Sequence, residues 1–246
     1  MKLIADTHMH TVASTHAYCT LTEMVHAAGE AGMAAAAVTD HGKNMPGSPG
    51  KWYFKNLVVV PRYLENVLVL RGEEANVLDF EGTLDVDPED LEGLDWIVAS
   101  IHAGCMTDGE PTVEKVTNAY LNLAKNPLVN VIGHSGSQKF AYDYETVLPE
   151  FGRNGKLVEL NESTFTGRKK SVPNCAKIMR LCKKFGVPII VNSDAHFSTQ
   201  VGRFEQSLRL LAEIDFPEEL VVNSSEKRFR AYLKQYTGVF SDPSVI

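Results

Sequence analysis

The sequence predicts an α/β fold: a TIM-like barrel of parallel strands ringed by helices, formed by one domain spanning residues 1–246. Three observations carry that expectation. Apolar runs alternate with helical stretches along the chain, the pattern of a parallel sheet buried on both faces. Polar residues, histidines above all, gather where the runs end, and barrels of this kind keep their sites at the C-terminal ends of the strands. The chain has 246 residues, 44% of them hydrophobic, enough to bury one large core.

In order, Leu3 to Ala5 form a short strand that leads to His8 and His10. Thr22 to Ala31 have helical spacing, with Thr20 or Thr22 as the cap. Ala34 to Val38 lead into Thr39, Asp40, His41 and Gly42, and Val67 to Leu70 lead into Arg71, Gly72, Glu73 and Glu74. Trp96 to Ile101 end at His102, and Val129 to Ile132 end at Gly133 and His134. Leu157 to Leu160 end at Asn161, and Val187 to Val191 lead to Asp194 and His196. Helices are expected at 112–125, 143–151, 173–185 and 204–213, between or after these strands. Seven strands result; Leu220 to Val222 are an eighth or pack outside. The loop at 42–56, rich in Gly, Pro and Lys, is expected to act as a mobile lid.

Net charge is −7 and no Lys/Arg run stands out, which disfavours nucleic acid as a general partner. No stretch approaches the ~20 apolar residues of a membrane span, and the start, MKLIADTH, enters a strand pattern without a signal-peptide core. Cys19, Cys105, Cys175 and Cys182 form no C-x-x-C pair. Reduced, inert thiols and a cytoplasmic location are expected. Nothing in the sequence sets the oligomeric state, and a homo-oligomer fits as well as a monomer.

Seven of the eight histidines, His8, His10, His16, His41, His102, His134 and His196, lie at or just after strand ends. Imidazole is the commonest metal ligand. Taken singly, each is more readily an ordinary polar residue, as His26 is in mid-helix. Their placement as a set, with Asp194 and a glutamate from the 73–74 pair, points to one polynuclear metal site. His8 and His10, two apart on a strand, face the same side and can reach one ion. A catalytic zinc typically takes three protein ligands, so nine ligands suit three ions, or two with a spare pair. Glu73 and Glu74 point to opposite faces, so only one of them can join.

The motifs Asp6-Thr7-His8-Met9-His10-Thr11, Thr39-Asp40-His41-Gly42, Gly72-Glu73-Glu74, Gly133-His134 and Ser193-Asp194-Ala195-His196 resemble those of the PHP (polymerase and histidinol phosphatase) superfamily. The stretch DTHMHTVASTHAY is most similar to its stand-alone bacterial branch, the YcdX-type phosphatases. The resemblance runs to about residue 235. It implies a distorted (β/α)7 barrel and a phosphoesterase that hydrolyses a small phosphomonoester at a trinuclear, usually zinc, centre through a metal-bridging hydroxide. Carried over by motif, His8, His10, Glu74 and Asp194 would hold one ion. Glu74, His102 and His134 would hold a second, and His16, His41 and His196 a third. The family's Gly-x-Glu pattern selects Glu74, leaving Glu73 to support the site or face solvent.

Glu74 and Asp194 are the expected catalytic carboxylates, and Asp6 and Asp40 are expected to orient histidine rings. Zinc suits an imidazole-rich set, and manganese or iron are alternatives. Arg203 is the best single candidate for a phosphate contact, because guanidinium matches phosphate bidentately. Arg168, Lys169 and Lys170 follow the sixth strand, and Lys43 and Lys51 lie in the lid. Specificity is expected to come from the loops at 42–56, 103–112 and 162–172. Rival functions are an amidohydrolase-like C–N hydrolase, a phosphodiesterase or nuclease, and a non-catalytic metal-storage or metal-dependent binding protein.

Overall fold

The computed structural model describes every residue except Pro243 and Ile246. Parallel strands β1 (Ala5–Asp6), β2 (Ala35–Val38), β4 (Val67–Asn76), β5 (Trp96–Ser100), β6 (Val131–Ile132), β7 (Leu157–Asn161) and β8 (Ile189–Asn192) pair in that order. A short strand, β3 (Tyr63–Leu64), runs antiparallel beside β4. Helices α1 (Leu21–Glu30), α3 (Val113–Lys125), α4 (Tyr144–Arg153), α6 (Val172–Phe185) and α7 (Glu205–Glu213) meet the expected ones to within a few residues. Their starts have local causes: Thr20 and Glu23 form a capping box on α1, and Thr112 and Asp143 cap α3 and α4. The sheet is a nearly closed barrel with one seam, between β1 and β8.

Alternate residues divide the core. Ala5, Ala35, Ala37, Leu68, Leu70, Trp96, Val98, Val131, Leu157 and Ile190 form one cluster, the barrel interior, while the intervening residues pack under the helices. The interior is plugged from below by α8 (Glu226–Tyr236), through Phe229, Tyr232 and Leu233. That helix escapes sequence-based expectation. Its mean hydropathy is low, and its apolar face is matched to the barrel's lower mouth and not to the sheet's flank.

β4 is longer than the apolar run Val67 to Leu70 suggests. It continues through Asn76 with all ten residues buried. The reason is a change of partner: Leu68 to Arg71 pair with β2, and Gly72 to Asn76 pair with β5. Gly72 permits this crowding, since a Cβ there would sit 2.7 Å from Thr39 Cγ2 and 2.9 Å from the Trp96 carbonyl. The alternation then points Glu74 into the barrel and Glu73 out of it. Solvation of Glu73, one of its two expected environments, does not occur: the side chain is 1% exposed and its Oε2 has no partner. Burial, aided by the nearby Asp85 and Asp90, pushes its carboxyl up to about 9.

The segment at 220–222 does not add an eighth barrel strand. It forms short turns, and Asn223 closes the seam. The Asn223 side chain accepts from Val191 N at 3.2 Å and donates to Ala5 O at 2.8 Å and Val191 O at 2.7 Å. Higher in the seam, Asp194 N donates to His8 O and His10 N to Ala195 O. The 42–56 loop, expected to move freely, is pinned instead. It carries α2 (Lys51–Lys55), buries Phe54, and bonds Tyr53 Oη to Asp40 at 2.5 Å.

Two expectations follow. Asn223→Ala removes all three seam bonds from a buried position and should cost about 2–4 kcal/mol in chemical denaturation. Glu73 in the unfolded chain releases its proton above about 4.5, while the folded protein keeps it to about 9. The unfolded state therefore binds fewer protons across that window, and stability falls as pH rises through it. Glu73→Gln should flatten that slope and stabilise the fold by on the order of 3 kcal/mol at pH 7. Urea titrations between pH 5 and 9 would refute this if variant and parent kept the same slope.

Candidate metal centre

The nine expected ligands come together at the C-terminal mouth of the barrel. Glu74 is at the centre. His41 Nδ1 lies 2.7 Å from its carboxylate, His134 Nε2 3.0 Å, His8 Nε2 3.3 Å, and His10 and His102 Nε2 each 3.5 Å. Asp194 Oδ1 lies 3.2 Å from His10 Nε2 and 3.6 Å from His8 Nε2. His16 Nε2 is 3.2 Å from His41 Nε2, and the His196 ring centroid is 4.4 Å from that of His10. His8, His10 and His41 are buried, His102, His134 and His196 are partly exposed, and His16 is at the surface.

Several of these atoms meet without hydrogen-bonding one another. His8 Nε2, His10 Nε2, His41 Nδ1 and Glu74 Oε2 are buried and have no hydrogen-bond partner. Orphaned buried polar atoms are costly, and lone pairs gathered toward shared points are what cations require. Three groups could each hold one ion: His10, His41 and His196; His8, His10 and Asp194; and His41, Glu74 and His102. These groups cut across the motif-based sets, because His10 and His41 each reach two points. His134 is tied directly to Glu74.

Electrostatics divides the set. Burial acts downward on His8 and His41, but Glu159 and Glu74 outweigh it at His8 and Glu74 at His41 and raise both, so a cation would have to displace those protons. The other shifted groups move toward their ligand forms. Burial, then the neighbouring His41, pushes His10 down to about 3, leaving its lone pair free at neutral pH. Burial also lowers His16 and His134, helped by His41 and Arg168 respectively. For Glu74 and Asp194 burial acts upward, but His8 and the other facing imidazoles outweigh it and hold both carboxyls well below their ordinary values.

The supporting residues fix the rings. His8 Nδ1 contacts Glu159 Oε1 at 2.7 Å, and His102 Nδ1 contacts Asn76 Oδ1 at 2.7 Å, turning each Nε2 toward the centre. Asp85 in turn accepts from Asn76 Nδ2 at 2.7 Å and from the Asn44 backbone at 2.9 Å, which ties the 42–56 loop to this relay. Asp40 and Asp6 act mainly on loops and not on rings. Asp40 accepts from Thr11 N and Oγ1 and from Ser14 Oγ, and Ser14 alone passes the contact on to His10. Asp6 accepts from Ser193 N and Gly202 N, anchoring the segment that carries Asp194 and His196. His134 and Asp194 have positive φ, 21° and 55°, a strained backbone held by the surrounding bonds.

Glu159 is the group that sequence reasoning missed. It sits mid-strand in an apolar run, is 5% exposed, and also receives His134 N at 2.8 Å, Asn161 Nδ2 at 3.0 Å and Asn192 Nδ2 at 2.9 Å. A lone acid inside LVEL was the available signal, since carboxylates are rarely buried without partners. Among the cations, Arg168 reaches Asp194 Oδ2 at 2.7 Å and Asn161 Oδ1 at 2.9 Å. Arg203 shares a cleft with Asp194 but is itself 66% exposed, 3.6 Å from Glu205. Lys43 and Lys51 pair with Asp87 and Glu89.

The fold and motifs have known counterparts. The PHP domain model matches residues 6–163, and the PHP-associated model matches 173–208. A protein of Acetivibrio thermocellus named "Probable phosphatase" is 45% identical, with 96% of this chain and 97% of that one covered. One from Clostridium novyi, likewise named, is 43% identical over 95% and 96%. In three dimensions the chain is similar to histidinol phosphate phosphatase of Lactococcus lactis, solved with zinc, L-histidinol and phosphate. The TM-score is 0.61 at 16% identity, covering 88% of this chain and 95% of that one. The distorted barrel is thus shared where little sequence is. With its family model spanning most of the barrel and relatives alike end to end, the chain belongs to the PHP family.

Proposed function

We propose that the protein is a metal-dependent phosphatase that hydrolyses small phosphomonoesters at a trinuclear centre. The observation that carries this is the convergence of seven imidazoles, Glu74 and Asp194 on one pocket, five of the imidazoles and both acids in groups able to hold an ion, with buried atoms of His8, His10, His41 and Glu74 lacking other partners. The relatives' names support the same class of reaction. Zinc is the first candidate, on the imidazole-rich donor set and on the neighbour solved with zinc; manganese or iron are alternatives. His8, His10, His16, His41, Glu74, His102, His134, Asp194 and His196 would hold such ions, whose chemistry there would be to activate a water and offset the charge on phosphate oxygens.

The chain's own groups do the positioning. Glu74 spans the ligand sets from the centre, and Asp194 presents Oδ1 to His8 and His10 while Arg168 holds Oδ2. The guanidinium stands at the edge of the cluster, where a bound phosphate would meet it, and is better placed for that contact than Arg203. Glu159 and Asn76 hold the two ring tautomers that aim Nε2 inward. The central carboxylate is a glutamate, Glu74, and not a lysine of the amidohydrolase type. The four buried free cysteines fit a reducing compartment, so we infer a cytoplasmic enzyme. Among the described residues no helix is long and apolar enough to cross a membrane. The whole chain acts as one domain, its C-terminal segment completing the barrel.

His10→Ala should lower metal content in elemental analysis and abolish turnover of p-nitrophenyl phosphate while the circular dichroism spectrum stays that of the parent. Full stoichiometry in the variant, or turnover of amides or cyclic ureas but not of phosphate esters, would overturn the proposal. Glu159→Ala frees the His8 ring and should weaken metal affinity roughly 10–100-fold, read by competition with a chromophoric chelator.

A further inference from the structure

One wall of the metal centre opens into a cleft of about 700 Å³ bounded by His102 and His134 at its inner end. Its charge is opposite to that of the molecule. The chain has 24 Lys and Arg against 31 Asp and Glu, yet Lys139, Arg168, Lys169 and Lys170 line this cleft and, among the described residues, no carboxylate does. The smaller cleft that Asp194 itself lines contains Glu162 and Glu205 beside Arg203.

The three lysines are also free of carboxylate partners, Lys139 lying 5.6 Å over the Phe140 ring of the cleft itself. Among the described residues, Lys139, Lys169 and Lys170 make no ion pair, whereas Lys43, Lys51, Lys55, Lys183 and Lys184 each have a carboxylate partner. Arg168 is tied to Asp194 by Nη2, and its Nε is buried without a partner. Ser171, at the N-terminus of α6, completes the wall, and that helix has neither a side-chain cap nor an acid in its first turn. Its positive end therefore adds to the lysines' field. Ile101 and Phe140 give the cleft an apolar strip against which a carbon skeleton can lie.

A phosphomonoester whose phosphate sits on the cluster must project its leaving group into one of the flanking clefts. We propose that the leaving group occupies the cleft of Lys139, Lys169 and Lys170 and itself carries a second anionic group, a phosphate or a carboxylate. This rests on the phosphatase reading and narrows it: the substrate is a small organic phosphate with two separated anionic groups. Unpaired cations beside a metal-bound phosphate attract such a molecule and repel a cationic leaving group.

The test uses the full-length, metal-loaded protein and matched esters. Fructose 1,6-bisphosphate is compared with fructose 1-phosphate and fructose 6-phosphate, which examines a second phosphate. Comparing 3-phosphoglycerate with glycerol 3-phosphate examines a carboxylate. L-histidinol phosphate is the ester with a cationic leaving group. At least one bis-anionic ester should exceed its mono-anionic counterpart tenfold or more in kcat/KM, mainly through KM, with L-histidinol phosphate the poorest. In a Lys139→Ser, Lys169→Ser, Lys170→Ser variant the ratio should collapse at least fivefold, and added salt should erode it in the parent. Equal turnover of both members of every pair overturns the inference and leaves the phosphatase reading standing. A preference that survives in the triple variant overturns the assignment to this cleft. No turnover of any phosphomonoester, p-nitrophenyl phosphate included, defeats the phosphatase reading itself.

Discussion

Glu74 is the group on which the architecture of the site depends. Nitrogens of five imidazoles from four separate segments lie within 3.5 Å of its carboxylate. A buried carboxylate is costly unless compensated, and here the compensation arrives from the ends of the surrounding strands. For that to happen β4 must extend deep into the mouth of the barrel, and it does so because Gly72 lets β2, β4 and β5 crowd together. A backbone allowance two residues upstream thus sets where the central acid stands.

Much of the arrangement was legible in the sequence. Histidines placed after apolar runs read directly as one pocket, since parallel strands deliver their C-terminal ends to the same face. The choice of Glu74 over Glu73 came from a motif, and the alternation of the strand places them on opposite faces. Other parts had no local signature. The full length of β4 is set by pairing with β5, which is 20-odd residues away. Glu159 carries no motif and gains its meaning from His8, Asn161, Asn192 and His134, three of which lie on other segments. The lower plug, α8, depends on a shape that exists only once the strands have closed. Arg168 and Arg203 looked alike in sequence, and only the turns after β7 and β8 decide which of them bends back toward Asp194.

The ring of supporting contacts explains how so many polar side chains tolerate burial together. Four acids outside the candidate ligand set answer specific donors, with Glu73 the exception: Asp40 holds the turn after β1, Asp6 the turn after β8, Asp85 the segment beyond His41, and Glu159 the strand ends between them. The ligands themselves are left with unsatisfied atoms. These supporting acids are well bonded while unpartnered atoms concentrate among the candidate ligands, a division that suits a rigid receptor for charge better than a self-contained polar core.

The seam between β1 and β8 gives this division a mechanical meaning. His8 and His10 leave from one lip of that gap, and Asp194 and His196 from the other, while Asn223, near the far end of the polypeptide, stitches the lips together below. Anything that grips both lips at the top is thermodynamically linked to the stitch at the bottom. On the proposed metal-binding reading, cations gripping both lips and the docking of the Asn223 segment would therefore reinforce one another: loss of either would loosen the hold of the other.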